Sequence, residues 1–239
     1  VPRGETVVTP PLARLLAWQD EGTARIESTV AGLPDTRLAE PCGLPGWQRR
    51  HLLAHLARNA DALVNLLTWA ATGVPTPMYT DTDQRARDID TGAAQPPAVL
   101  RQDLLAADER YRDAVAALPE PNWAVRVRSA QGRDIPAAEV PWLRVRELWV
   151  HLVDLECGST LADLPPDLVT ALLVDATAAL TRKPDAPAVH LVSDAGEWAI
   201  GADPSTTIRG TPTALLGWVT GRTPGTDLIG PLPPLPRWL

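Results

Sequence analysis

Two of the four histidines in the chain stand where metal chemistry is possible. Glu147 and His151 are four residues apart in the stretch Pro141 to Leu155, which has helical apolar spacing and a proline near its start. On a helix that spacing puts both side chains on one face at neighbouring heights. Leu143, Val150 and Asp154 share roughly that face, so it is expected to point inward. A carboxylate and an imidazole are costly there unless they are paired or bound to a metal. His55 falls on the inward face of a second helix, beside Leu52, Leu56 and Asn59. Ligands from facing helices of an antiparallel bundle can converge in its core. One carboxylate and two imidazoles would leave a position open for water or substrate, the pattern of a catalytic zinc site. The same spacing also suits a buried hydrogen-bonded pair with no metal. His51 makes a rival pair with His55, but it lies off the Leu52–Leu56–Asn59 face and is expected at the surface of the first turn. His190, inside an expected strand, is expected to be structural.

Arg222 directly follows Gly221. Glycine there permits a sharp turn, and a guanidinium can clamp a carboxylate with two hydrogen bonds. A solvated loop arginine is the alternative. The nine tryptophans are expected in cores and interfaces, with Trp47, Trp69, Trp142 and Trp149 packing a bundle and Trp238 anchoring the tail.

The elements that must position these residues are mostly helices. Apolar residues recur at helical spacing from Pro11 to Leu33, Arg49 to Thr72, Ala98 to Leu118 and Pro141 to Leu155. Gly73 closes the second, and Pro75 and Pro77 forbid its continuation. Thr91 to Pro97 is expected as a loop, and Trp123 to Ile135 as extended chain with a turn at Gln131-Gly132. Four long helices with substantial connections predict a four-helix bundle. After Cys157-Gly158 the pattern changes. A helix is expected from Pro166 to Arg182, followed by strands at Ala188–Ser193, Trp198–Gly201 and Thr206–Gly210, with a hairpin turn at Asp194 to Glu197. A short helix from Pro212 to Thr220 precedes a proline-rich tail. The expectation is a mainly α chain with a bundle over residues 1–158 and a smaller α+β domain over residues 159–239.

With 239 residues, 45% hydrophobic and 21% charged, the chain has ordinary globular composition. A net charge of -7 argues against a general nucleic-acid binder, although Arg144 and Arg146 could form a local anion site. No apolar run is long enough to span a membrane, and no signal-peptide pattern opens the chain. Cys42 and Cys157 make neither a disulfide framework nor a CxxC pair, so the expected compartment is reducing cytosol. The opening Val-Pro-Arg-Gly resembles a remnant of protease cleavage and is left out of the fold reading.

The segment Gly46-Trp47-Gln48-Arg49-Arg50-His51-Leu52-Leu53-Ala54-His55 resembles the GW…HxxxH helix of the mycothiol-dependent maleylpyruvate isomerase family, a branch of the DinB-like metal-binding bundles. Further similar stretches are Asn65 to Tyr79, Ala130 to Arg133, Arg146 to Leu155 and the tail Pro236 to Leu239. They follow in the same order and at similar spacing from about residue 10 to the C-terminus. The resemblance implies a DinB-like four-helix bundle followed by a smaller α+β domain like a sterol-carrier fold. It implies metal ligands at His55, Glu147 and His151 and a catalytic arginine at Arg222. Gln48 stands where many relatives carry Ser or Thr, a departure expected to alter only helix capping. Between Thr160 and Asp203 the resemblance is weaker, and the residues that would contact the thiol are not assignable.

What the resemblance implies for activity is a cytosolic, monomeric enzyme with a divalent metal (zinc) and mycothiol as cofactors. Such an enzyme converts maleylpyruvate to fumarylpyruvate in gentisate breakdown by thiol addition, rotation about the resulting single bond and thiol loss. Its partners would be a small-molecule substrate and the thiol, with no nucleic acid and no membrane. Two other readings fit the same ligands. One is a mycothiol S-transferase in detoxification or natural-product assembly. The other is a non-enzymatic protein with a metal-stabilised core that sequesters a small ligand.

Overall fold

The computed structural model describes residues 10–238; the opening Val-Pro-Arg-Gly and Leu239 lie outside them. The chain divides into two compact units, one of Pro11–Ser159 and one built from Thr160 onward.

In the first unit the long helices are α1 (Leu12–Gly32), α2 (Arg49–Thr72), α4 (Pro97–Ala117) and α5 (Val140–Asp154), with a shorter α3 (Thr82–Ala93) between α2 and α4. The long ones form where the apolar period predicts. On α2 that period buries Leu52, Leu56, Leu63, Leu66 and Leu67 completely or nearly so. Gly73 ends it at φ 73°, donating its N–H to the Trp69 carbonyl at 2.8 Å. At the other end His51 Nδ1 accepts the Gln48 N–H at 3.2 Å, so the histidine serves the helix start.

Side-chain pairings set the directions of the helices. Arg49 on α2 reaches the Leu155 carbonyl just past α5, while His55 meets Glu147 and His151, and Arg144 meets the Leu56 carbonyl. Helices α2 and α5 therefore run antiparallel. Arg58 pairs with Asp103 and Asp61 with Arg110, so α2 and α4 run parallel. A parallel pair needs a return path between its members, and α3 lies on that path.

Helix α3 corrects the sequence expectation. The loop expected at Thr91–Pro97 begins only after Ala93, and the residues before it are helical from Thr82. Its start is Asp81, whose Oδ1 accepts the Gln84 N–H at 2.5 Å, while Gln84 Oε1 accepts the Thr80 N–H at 2.8 Å. A further correction concerns Trp123, which sits in a short 3₁₀ turn, Glu120–Ala124; the extended chain is only β1 (Arg126–Arg128) paired antiparallel with β2 (Asp134–Pro136). Trp142 and Trp149 are buried as expected, but Trp47 and Trp69 are only partly covered. Trp149 Nε1 donates to the Trp18 carbonyl at 2.8 Å, and Gly22 gives the ring its room, since a Cβ there would lie 2.8 Å from Nε1. That contact locks α1 to α5.

The second unit is α+β. Helix α6 (Pro166–Thr181) packs on strand β4 and on helix α7 (Pro212–Val219). Strands β3 (Val189–Ser193) and β4 (Gly196–Ile200) form the expected hairpin, and β5 (Thr206–Arg209) joins the far edge of β3 in parallel. Trp238 is buried, 4% exposed. No helix among the described residues is long and apolar enough to cross a membrane.

Candidate metal centre

Three contacts decide how α2 and α5 face each other. Arg49 is 4% exposed and donates to the carbonyls of Leu155 at 2.7 Å and Glu156 at 3.3 Å, and its Nη1 pairs with Glu40 at 2.7 Å. It thereby satisfies carbonyls that the end of α5 leaves open. About two to three helical turns further along, Arg144 of α5 is wholly buried. It donates to the Leu56 carbonyl at 2.9 Å, to Asn59 Oδ1 at 2.8 Å, and to Asp108 of α4. Between these two clamps lie His55, Glu147 and His151.

Their inward atoms form a tight triangle. His55 Nε2 is 2.9 Å from Glu147 Oε2 and 3.1 Å from His151 Nε2, and His151 Nε2 is 3.0 Å from the same carboxylate oxygen. The group can hold a metal ion, since one ligand atom from each residue falls within 4.8 Å of the others. His55 is 4% exposed, and the His151 and Glu147 side chains are 12% and 19% exposed. His151 Nδ1 lies 2.8 Å from Asp154 Oδ2. That carboxylate keeps a proton on Nδ1, so that the neutral ring turns its Nε2 lone pair into the triangle, as histidine ligands require. Trp47 packs edge-on against the His55 ring, with centroids 5.7 Å apart.

Electrostatics bind the three together even without a cation. Burial alone would raise the Glu147 carboxyl, but hydrogen bonds from His151 and His55 outweigh it and hold the group well below its ordinary value. Burial likewise works against a charged His151, yet Asp154 and Glu147 prevail and its pKa is raised. His55 goes the other way, because desolvation dominates and its pKa is lowered. The centre thus has an ionised carboxylate, one imidazole that charges easily and one that resists charging. A donor set of two imidazoles and a carboxylate with a buttressed tautomer fits a divalent ion of the zinc type.

His51 and His190 are not in the group. His51 is occupied at the start of α2, and His190 on β3 pairs with Glu197 at 3.0 Å. Arg222 belongs to the second unit, where Gly221 takes φ 72°, and Arg222 Nη1 donates to the Thr220 carbonyl at 2.7 Å. Two neighbours of the triangle escaped the sequence reading. Arg85 of α3 places Nη2 3.2 Å from His55 Nδ1, and its guanidinium lies 6.0 Å from the centre of the Tyr79 ring. The pairing of Asp154 with His151 was missed too, although a carboxylate three residues beyond a helical histidine was a readable sign of it.

Known proteins bear on this geometry. Residues 19–156 match the family model of the mycothiol maleylpyruvate isomerase N-terminal domain. Among solved structures, the crystal structure of the mycothiol-dependent maleylpyruvate isomerase superposes with a TM-score of 0.91 at 30% identity, over 98% of this chain and 100% of that one. A mutant of the same enzyme with one histidine changed to alanine matches equally, at 29% identity. YfiT from Bacillus subtilis, a probable metal-dependent hydrolase with an unusual four-helix bundle topology, shares the fold at 17% identity and a TM-score of 0.51, over 65% of this chain and 90% of its own. No curated protein matches the sequence. The matched domain spans the whole His55–Glu147–His151 centre, more than half of the sequence lies within it, and the chain belongs to the mycothiol maleylpyruvate isomerase family.

Proposed function

We propose that the chain is a mycothiol-dependent cis–trans isomerase that converts maleylpyruvate to fumarylpyruvate at a zinc ion held by His55, Glu147 and His151. The observation that carries this reading is the convergence of three inward-facing donors on one point, in a chain that superposes over 98% of its length on an isomerase of that activity. The bound thiol would supply the nucleophile that adds to the alkene and leaves after rotation, and the metal the Lewis acidity that activates thiol or keto group.

The chain's own residues prepare the site for this. Asp154 holds the proton of His151 at Nδ1, so the ring presents a lone pair inward without needing to reorient. Trp47 shields one side of the His55 ring from water. Glu147 keeps its negative charge in a desolvated place because two imidazoles face it. Arg222 is assigned to turnover, holding a substrate carboxylate or the negative charge that develops during thiol addition. The reading divides the chain into a metal-binding domain over 1–158 and an arginine-bearing domain over 159–239. It describes a cytosolic monomer acting in gentisate breakdown.

The test is an assay of the zinc-loaded protein on maleylpyruvate with and without mycothiol. Turnover that needs both metal and thiol supports the reading. A zinc-loaded protein that leaves maleylpyruvate unchanged in the presence of mycothiol overturns it.

A further inference from the structure

Arg85 differs from the other arginines around it. Arg58 pairs with Asp103 at 2.7 Å and with Asp61 at 3.0 Å, Arg110 pairs with Asp61 at 2.6 Å, and Arg87 on the same helix as Arg85 pairs with Asp81 at 3.6 Å. Among the described residues no carboxylate comes within ion-pair distance of Arg85; its neighbours are the His55 imidazole and the Tyr79 ring. A guanidinium is charged at every accessible pH, and holding it partly buried without an anion is unfavourable.

The contact with His55 is also conditional. A guanidinium has only donors, so Arg85 can bond His55 Nδ1 only while that nitrogen offers a lone pair. An imidazole that gives its Nε2 lone pair to a metal carries its proton on Nδ1 and is then a donor there. The two donors would oppose each other across 3.2 Å. A metal held through His55 Nε2 would therefore weaken the Arg85–His55 contact and leave the guanidinium available to another acceptor. It stays tethered to α3 beside the ligand triangle, a planar two-point donor with no anion of its own.

We propose that Arg85 is a carboxylate-binding residue of this site, placed beside His55 and the Tyr79 ring with no carboxylate of its own, where it can hold an anionic group of the substrate. The substrate class this selects is a small carboxylate able to reach the metal. This deepens the isomerase reading and rests on it for the identity of the natural substrate, but the carboxylate site itself can be tested separately.

The experiment uses the zinc-loaded protein and two variants, Arg85→Met and Arg85→Gln, each checked for zinc content and melting temperature. Maleate binding is followed by calorimetry, and KM and kcat for maleylpyruvate are measured with mycothiol present. Both variants should keep zinc, bind maleate about ten- to a hundredfold more weakly and raise KM by a similar factor, the range for one bidentate charge-assisted contact. Metal-free protein carrying Arg85→Met should bind zinc at least as tightly as wild type, because the competing contact is gone. Wild-type protein that binds no maleate, variants that bind it as well as wild type, or variants that lose zinc would each overturn the assignment. Absence of turnover on maleylpyruvate, with maleate binding present in wild type and weakened in both variants, would sink the isomerase reading and leave Arg85 standing.

Discussion

Two buried polar assemblies join α2 to α5, and they are built on different terms. In the first, Arg144 meets Asp108, Asn59 and the Leu56 carbonyl, with Arg144 fully buried and Asp108 1% exposed. Its one positive and one negative charge cancel. In the second, His55, Glu147 and His151 are nearly as buried, yet a single carboxylate faces two imidazoles and three inward atoms crowd one point. The first balances its charge and fixes the register of the helices, although Arg144 Nε and Asp108 Oδ2 have no hydrogen-bond partner among the described residues. The second brings three ligand atoms together where a cation could bind. Burial of polar groups alone therefore does not mark a functional site; the convergence of several metal-ligating atoms on one point does.

The sharpest way to break this contrast is to delete one member of each assembly and compare the losses. Removing an imidazole in His55→Ala or His151→Ala should abolish stoichiometric zinc and lower turnover by more than about a thousandfold, since losing the metal removes its catalysis outright. The melting temperature of the metal-free variants should change little. Full zinc occupancy in both variants, measured by elemental analysis, would remove these residues from the ligand set. Asp108→Ala should do the reverse. Leaving Arg144 buried without its partner costs about 3–5 kcal/mol of folding stability, readable by urea unfolding, while protein that remains folded should still bind zinc. A variant as stable as wild type would mean that Arg144 finds compensation elsewhere.

A smaller effect probes the boundary between the two kinds of assembly. Asp154 is 2% exposed, and its Oδ2 lies 2.8 Å from His151 Nδ1. Asp154→Asn preserves size but offers Nδ1 a weaker and ambiguous partner, so zinc affinity should drop about ten- to a hundredfold, the usual cost of losing such a buttress. Competition with a chelating dye gives the number. An unchanged affinity would show that the helix alone orients the ring.

How much of this was legible beforehand follows the physics of each part. The four long helices were readable because burial imposes a period on α1, α2, α4 and α5, and the same period put His55, Glu147 and His151 on inward faces. Helix α3 was not, because it packs through little more than Ile89 and Ala93 and is otherwise polar. Its one sequence signal was local, the Asp81 and Gln84 start pattern. Arg85 was invisible for the same reason, since a side chain cannot be aimed from a helix that has not been recognised. The Arg144–Asp108–Asn59 cluster joins residues 36 and 85 positions apart, a separation at which no spacing rule applies. In the second unit the β3–β4 hairpin was readable from its turn residues, but the parallel placement of β5 on the far edge of β3 was not. The thiol and the substrate came from resemblance alone.

The smallest expected effect separates the two histidines of the centre in the metal-free protein. His151 has a folded pKa raised above the unfolded value of about 6.5. Its charged form therefore contributes stability that is fully present below about pH 6.5 and is lost as pH rises through the raised value. His55 has a folded pKa lowered below the same reference. Its contribution is present above about pH 6.5 and is lost as pH falls through the lowered value. The two slopes have opposite sign within one triangle of atoms. Melting curves of chelator-treated wild type, His151→Asn and His55→Asn between pH 5 and 8 isolate them, with each kcal/mol moving the midpoint by about 2–4 °C in a chain of this size. The advantage of wild type over His151→Asn should shrink toward pH 8, and that over His55→Asn should shrink toward pH 5. Zinc must displace the proton of His151, so the rise in melting temperature on adding metal should be larger at pH 8 than at pH 6. Parallel curves for the two variants would mean that Asp154 and Glu147 do not distinguish the histidines, and the centre would then be electrostatically as symmetric as the Arg144–Asp108 pair.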